Sequence, residues 1–216
     1  IQEVIHGPHT VNGMDLSVRT LTRVAALKVM YPEQVCILQS NHELAQMLGS
    51  GIMKDGHSVT EAYDEGVDHI FGDGADDVRA AMNRFIRSYP LCVRCARGVF
   101  VSHSLPSATA MKRFDPTVVD RVPTDADLRL KGAAYDMVWG RHHPQEVTDE
   151  LGKQGGCSVF VVGHQPAPMG YEIQNRSQLI VTSDHECGML LPVDLSRRYT
   201  MDDMIGDLVP RARVEA

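Results

Sequence analysis

The stretch Val35-Cys36-Ile37-Leu38-Gln39-Ser40-Asn41-His42-Glu43 decides the fold. Its first half is apolar and predicts a buried strand over residues 35–39, and its second half opens a helix predicted from His42 to about Leu48. An amide, an imidazole and a carboxylate therefore stand together at a strand-to-helix turn. Such groups bind metal ions and transfer protons, so this turn is the first candidate for a functional site.

Two later apolar runs also lead to a histidine. Val99-Phe100-Val101-Ser102 precedes His103, and Val159-Phe160-Val161-Val162-Gly163 precedes His164. Each histidine alone is more often a structural hydrogen-bonding group than a ligand. Polar groups at the ends of buried strands, however, collect along one edge of an α/β sheet. Asn41, His103 and His164 together therefore predict a site for divalent metal ions.

Composition limits the possible classes of function. The chain has 216 residues, 43% hydrophobic and 23% charged, so it is long enough for one large core, and we expect a single domain over 1–216. A net charge of -7 without a basic stripe disfavours nucleic acid and anionic membranes as partners. No apolar stretch approaches the roughly 20 residues that span a bilayer. Five cysteines at irregular spacing argue against a disulfide framework and favour a reducing cytoplasm.

The periodicity of the chain predicts an α/β fold, with helices early and strands in the second half. Helices are expected over 16–30, 60–71, 75–87 and 145–151, and strands over 89–95, 99–101, 157–162, 179–182 and 189–193. Residues 104–130 predict a long functional loop or cap. Cys92 and Cys95 could form half a zinc site or a redox pair, but two buried strand cysteines are the favoured interpretation. His142-His143 is expected in a solvated turn.

The order and context of these motifs resemble a known family. Residues 17–32, the Ser40-Asn41-His42-Glu43 turn, the strand before His103, the Gly163-His164-Gln165 segment and the turn from Ser183 to Cys187-Gly188 are similar to serine/threonine phosphoprotein phosphatases of the calcineurin-like metallophosphoesterase superfamily. The resemblance covers residues 17 to about 195. It implies an α/β sandwich of two mixed β-sheets flanked by helices.

The resemblance also implies roles for particular residues. Asn41, His103 and His164 would be ligands of one metal ion, and His42 would be the general acid that protonates the leaving oxygen. Arg141, which follows Val138-Trp139-Gly140, is the best candidate for binding phosphate; the alternative is a surface arginine beside a helix start. The implied cofactors are two divalent ions, manganese, iron or zinc.

Two motifs of the family depart from its pattern here. GDxHG, which supplies ligands to the other metal, is absent from this chain. The closest match to GDxxDRG is Gln2-Glu3-Val4-Ile5-His6-Gly7, with Glu3 as the bridging carboxylate and His6 in place of the second aspartate; an ungapped alignment would place His9 and Asn12 there instead. Because the chain starts at Ile1 without methionine, we expect upstream residues to supply the missing motif, so that 1–216 lacks the N-terminal portion of its domain.

The expected function is that of a metal-dependent phosphoester hydrolase, in which metal-activated water attacks phosphorus. The expected substrate is a phosphorylated protein or a small phosphoester. Two alternatives remain open at the level of sequence. One is a catalytically degenerate relative that binds a phosphorylated partner, and the other is a dinucleoside polyphosphate hydrolase.

Overall fold

The computed structural model describes residues 1–7 and 10–214, which divide into two compact units. The helical unit comprises residues 3–89, and the sheet unit comprises residues 1–2 together with the chain from Pro90 onward. The prediction of one domain over 1–216 stays a prediction. No helix among the described residues is both long and apolar enough to cross a membrane.

The helical unit has four main helices and two short hairpins among its described residues. The helices are α1 (Val18–Met30), α2 (Asn41–Leu48), α3 (Val59–Phe71) and α4 (Ala75–Arg87); the hairpin strands are β1 (Thr10–Val11), β2 (Met14–Asp15), β3 (Met53–Lys54) and β4 (His57–Ser58). The core of this unit is built on Ile5, Leu21, Tyr63 and Ile86. Its helix α3 lies directly on β2, because a Cβ atom on Gly66 would be 1.9 Å from the carbonyl oxygen of Asp15.

The predicted helices of this unit are confirmed, since their apolar positions recur with the helical period and pack on one core. The strand predicted over 35–39 is wrong. Within the described part of the chain, residues 35–40 form no ladder with another strand, and a run without a ladder partner is extended chain. The Nζ of Lys28 instead donates to the carbonyl oxygen of Val35 at 2.9 Å. The predicted burial holds only for the end of this run, because Leu38 and Gln39 are buried whereas Cys36 is exposed.

The sheet unit is organised around a mixed five-stranded sheet of order β5-β6-β7-β9-β8. Its strands are β5 (Cys92–Arg94), β6 (Val99–Ser102), β7 (Val159–Val162), β8 (Tyr171–Asn175) and β9 (Gln178–Val181). The central strands β6, β7 and β9 run parallel, and β5 and β8 are antiparallel edges. The sheet has an apolar cluster on each face.

Other elements surround this sheet. They are α5 (Ala108–Met111), α6 (Asp125–Leu128), α7 (Ala133–Trp139), α8 (Gln145–Gly155), β10 (Met189–Leu190), α9 (Met201–Gly206) and β11 (Val209–Pro210). The segment over 104–130, predicted to be a long loop or cap, contains α5, α6 and a 3₁₀ turn. Arg121 stabilises this segment, because its guanidinium donates two hydrogen bonds, of 2.6 and 3.0 Å, to the carboxylate of Asp127 in α6.

The strands predicted around 99–101, 157–162 and 179–182 are confirmed. Strand β8 was missed because Tyr171–Asn175 is mostly polar, which an exposed edge strand tolerates. The strand predicted over 189–193 is shorter, and it pairs with β11 rather than with the central sheet. Cys92 and Cys95 pack against the clusters on opposite faces of the sheet, so they do not form half of a metal site. The fold is mixed α/β with a central mixed sheet, and the two-sheet sandwich stays a prediction.

Candidate active site

Two of the predicted ligands meet in the sheet unit. His103 follows β6 directly and His164 lies two residues beyond β7, so the parallel pairing of these strands brings both histidines to one edge of the sheet. His103 Nε2 lies 3.1 Å from His164 Nδ1. Both side chains are buried, with 0% and 7% of their surface exposed. The structure thus places two imidazole nitrogens side by side inside the protein.

A backbone contact fixes the orientation of His103. Its Nδ1 lies 2.7 Å from the carbonyl oxygen of Ile1, which can only accept a hydrogen bond. Nδ1 of His103 therefore carries the proton, and Nε2 presents its lone pair toward His164. Metal-binding histidines are commonly oriented in this way, with the second ring nitrogen donating to a carbonyl or carboxylate oxygen. The pair therefore fits a metal site in donor type and in orientation.

The turn that carries His164 is tight. His164 has a φ of 64°, a backbone conformation that is uncommon for residues other than glycine. The preceding Gly163 lies against the first two residues of the chain, because a Cβ atom there would be 2.9 Å from the carbonyl oxygen of Ile1. The ring of Trp139 meets the His164 ring edge-on, with centroids 6.5 Å apart. Backbone and ring contacts therefore hold this histidine in place.

In the helical unit, Asn41 and His42 are the first two residues of α2. Ser40 is the N-cap of this helix, with its hydroxyl accepting from the N–H of Glu43 at 3.4 Å. Asn41 is buried at 2% exposure, and His42 is half-buried. The sequence predicted a strand-to-helix turn here; the helix start is confirmed, and the chain before it is extended but is not a strand. The turn presents both side chains from a rigid helix start.

Glu43 has a role that sequence reasoning missed. Its Oε1 accepts hydrogen bonds from the N–H groups of Val4 at 2.6 Å and Ile5 at 3.2 Å, and its Oε2 contacts the hydroxyl of Ser40. Burial raises the pKa of Glu43 to about 7, against the opposing effect of these backbone donors. Glu43 therefore anchors the N-terminal segment to α2.

His6 also belongs to this group. Its Nδ1 lies 2.9 Å from Nδ1 of His42, and its Nε2 lies 2.9 Å from Oε1 of Gln46. The ring of Tyr63 packs edge-on against it. Burial lowers the pKa of His6, although Gln46 and nearby carboxylates oppose the shift. The structure therefore joins the predicted general acid to a second histidine.

The remaining predicted residues occupy different surroundings. Glu3 is half-buried, and Arg141 is exposed immediately after α7 and Gly140. Asn12 lies with Gly13 at the exposed tip of the β1–β2 hairpin, where both residues have positive φ angles of 52° and 83°. An Asn-Gly pair favours this kind of turn, so Asn12 has a sufficient structural explanation. His9 lies outside the described residues.

The prediction that His142-His143 forms a solvated turn is wrong for His143. His142 is exposed, but His143 is 2% exposed, donating from Nε2 to the carbonyl oxygen of Leu105 at 2.8 Å and accepting from Gln178 Nε2 at 3.0 Å. Neighbouring side chains diverge, and here the second of the two enters the core. The only sign of this burial in the sequence was that His143 closely follows the apolar residues of α7.

His143 should make the stability of the protein depend on pH. Burial lowers the pKa of His143 from 6.5 to about 4. The unfolded chain then binds this proton more tightly, so the free energy of unfolding should fall as the pH drops from about 6.5 to about 4, by up to about 3 kcal/mol. Urea unfolding of wild type and His143→Gln across this range measures the effect. The variant should lose this part of the slope, whereas the exposed control His142→Gln should keep it; equal slopes in all three proteins would contradict the prediction.

The chain is similar to known proteins in sequence and in fold. No family model matches the chain. A curated relative, the "Probable serine/threonine-protein phosphatase" of Encephalitozoon cuniculi, is 22% identical over 177 residues, which cover 76% of this chain and 36% of that protein. A solved structure of a serine/threonine phosphatase from Saccharomyces cerevisiae, described as similar to a human phosphatase, matches with a TM-score of 0.56 and 14% identity, covering 80% of this chain and 56% of that one.

These matches establish a relation at the level of the fold. The structural match shows a phosphatase-like fold, and the curated relative supports a phosphoprotein phosphatase-like relation. The chain spans 36% of the length of the curated relative and 56% of the solved chain.

Proposed function

We propose that this chain is a metal-dependent phosphoester hydrolase of the serine/threonine phosphatase type. The observation that carries the proposal is the buried pair of His103 and His164 at the ends of parallel strands. Two imidazole nitrogens 3.1 Å apart, one of them oriented by a backbone carbonyl, suit a divalent transition metal better than they suit a structural core. Because the similar proteins are phosphatases, we propose that the substrate of this metal site is a phosphoester.

The proposed ligand set is the one that the family resemblance implies. Asn41, His103 and His164 would hold one ion, and Glu3 would supply the bridging carboxylate. Imidazole, amide and carboxylate donors together fit manganese, iron or zinc. When bound, such ions supply an activated water nucleophile and neutralise charge on the phosphoryl oxygens.

The proposed roles of the other residues are binding and proton transfer. His42 would donate a proton to the leaving oxygen of the ester, which avoids the release of a basic alkoxide. Arg141 is exposed, and its guanidinium would bind two phosphate oxygens through paired N–H donors. The substrate would be a phosphorylated protein or a small phosphoester.

Hydrolysis of p-nitrophenyl phosphate tests the proposal. Purified protein should hydrolyse it when manganese is added, and Asn41→Ala should abolish the metal-stimulated rate because a buried amide ligand is removed. Thermal denaturation checks that the variant is folded. Wild-type activity in a folded Asn41→Ala protein would exclude Asn41 as a ligand.

The same experiment separates the hydrolase from a phosphate-binding relative without activity. That alternative is favoured by the alignment that places Glu3 and His6 where the family has aspartates. A protein that binds a phosphopeptide but hydrolyses neither the peptide nor p-nitrophenyl phosphate at saturating manganese would establish the binding role instead.

A further inference from the structure

A chain of hydrogen bonds in the helical unit runs from Asp64 to His42. Gln46 Nε2 donates to Asp64 Oδ1 at 3.0 Å, Gln46 Oε1 contacts His6 Nε2 at 2.9 Å, and His6 Nδ1 contacts His42 Nδ1 at 2.9 Å. Asp64 also pairs with Arg79, whose Nε lies 3.4 Å from the same carboxylate oxygen. The four side chains come from the N-terminal segment, α2 and α3.

Each contact in this chain has a determined direction. A carboxylate oxygen accepts, so the amide nitrogen of Gln46 must face Asp64 and the amide oxygen must face His6. The amide oxygen accepts in turn, so His6 carries its proton on Nε2. A neutral His6 then has its lone pair on Nδ1, and His42 must donate to it from Nδ1.

We propose that Asp64, Gln46 and His6 are positioning residues that hold His42 in the tautomer with its proton on Nδ1. His42 can then accept or donate a further proton only at Nε2. Resting on the proposed function, this assigns Nε2 of His42 as the atom that takes up a proton from water and then gives it to the leaving oxygen. This arrangement differs from a histidine paired with a carboxylate. The neutral imidazole of His6 fixes the direction of its hydrogen bond with His42 but adds no negative charge.

The surroundings of His6 support a fixed arrangement. The His6 side chain is 7% exposed, and its ring lies against Tyr63 with centroids 5.6 Å apart and planes nearly perpendicular. Its backbone N–H donates to the hydroxyl of Ser17 at 3.0 Å, and that hydroxyl donates to Asp15 at 2.9 Å. Both the backbone and the ring of His6 are therefore held, so that its two ring nitrogens keep their partners.

Nitrogen-15 NMR of histidine-labelled protein tests the proposal without substrate or metal. Spectra are recorded at about pH 8.5, well above the ordinary histidine pKa of about 6.5. The signals of His42 are assigned by their loss in His42→Gln. In wild type, Nδ1 of His42 should show the shift of a protonated nitrogen and Nε2 that of an unprotonated one. The opposite pattern would overturn the proposal.

Variants of Gln46 test the relay itself. Gln46→Met removes the acceptor for His6, so the His42 signals should move toward a mixture of both tautomers. Gln145→Met, at another half-buried helical glutamine, is the matched control and should leave the His42 signals unchanged. An unchanged tautomer in Gln46→Met would overturn the relay.

The test also separates this inference from the proposed function. A protein with the predicted tautomer and no hydrolysis of p-nitrophenyl phosphate would support the relay and count against the hydrolase. A protein that hydrolyses p-nitrophenyl phosphate but has the opposite tautomer would support the hydrolase and overturn the relay.

Discussion

Replacing His103 by alanine is expected to lower manganese-stimulated hydrolysis of p-nitrophenyl phosphate by about a thousandfold, equal to about 4 kcal/mol of barrier. The reason is the geometry of the pair. His103 Nε2 lies 3.1 Å from His164 Nδ1, and the backbone carbonyl of Ile1 holds the ring so that this nitrogen presents its lone pair. Removing the imidazole removes a proposed ligand and leaves His164 without its neighbour.

Calorimetric titration with manganese gives a second measurement that does not depend on turnover. His103→Ala should bind fewer ions per chain than wild type, or bind them at least about tenfold more weakly. His143→Gln is the matched control, because His143 is equally buried in the same unit but contacts Leu105 and Gln178 instead. If His103→Ala keeps both its metal binding and its rate, the pair is structural and the proposed metal centre is wrong.

The sequence predicted α1 to α4 and α8 because each of these helices carries its own evidence, whereas the shorter α5, α6, α7 and α9 were not predicted. In α4, the acidic pair Asp76 and Asp77 stands in the first turn, and Arg84 and Arg87 stand in the last, as the helix dipole favours. Strands depend on partners elsewhere in the chain, which local patterns do not contain. Residues 35–38 are apolar but form no ladder with any described strand, whereas the mostly polar β8 pairs with β9 at the edge of the sheet.

The candidate site shows the same division. His103 and His164 could be predicted because each follows an apolar strand, and parallel pairing then brings them together. The contact between His6 and His42 and the burial of His143 were not expected from the sequence. Contacts between residues distant in sequence, such as those of Glu43 with Val4 and Ile5, leave no local pattern to detect.

Glu43 offers the largest expected effect on stability, because its carboxylate satisfies two backbone donors inside the helical unit. Oε1 accepts from the N–H groups of Val4 at 2.6 Å and Ile5 at 3.2 Å, and the side chain is only 1% exposed. A buried donor that loses its partner costs about 1–3 kcal/mol. Glu43→Ala is therefore expected to lower the free energy of unfolding by roughly 3–5 kcal/mol.

Two further variants separate this anchor from ordinary helix capping. Glu43→Gln keeps an amide oxygen for Val4 and Ile5, and should remain within about 1 kcal/mol of wild type. Glu61 occupies the same position after Ser58 at the start of α3 but is exposed, so Glu61→Ala should cost less than about 1 kcal/mol. Urea unfolding measures all three, and hydrogen exchange at the Val4 and Ile5 amides locates the change. If Glu43→Ala and Glu61→Ala lower the free energy of unfolding equally, Glu43 is only a capping residue. Rapid exchange of the Val4 and Ile5 amides in Glu43→Ala alone would identify Glu43 as the anchor of the N-terminal segment.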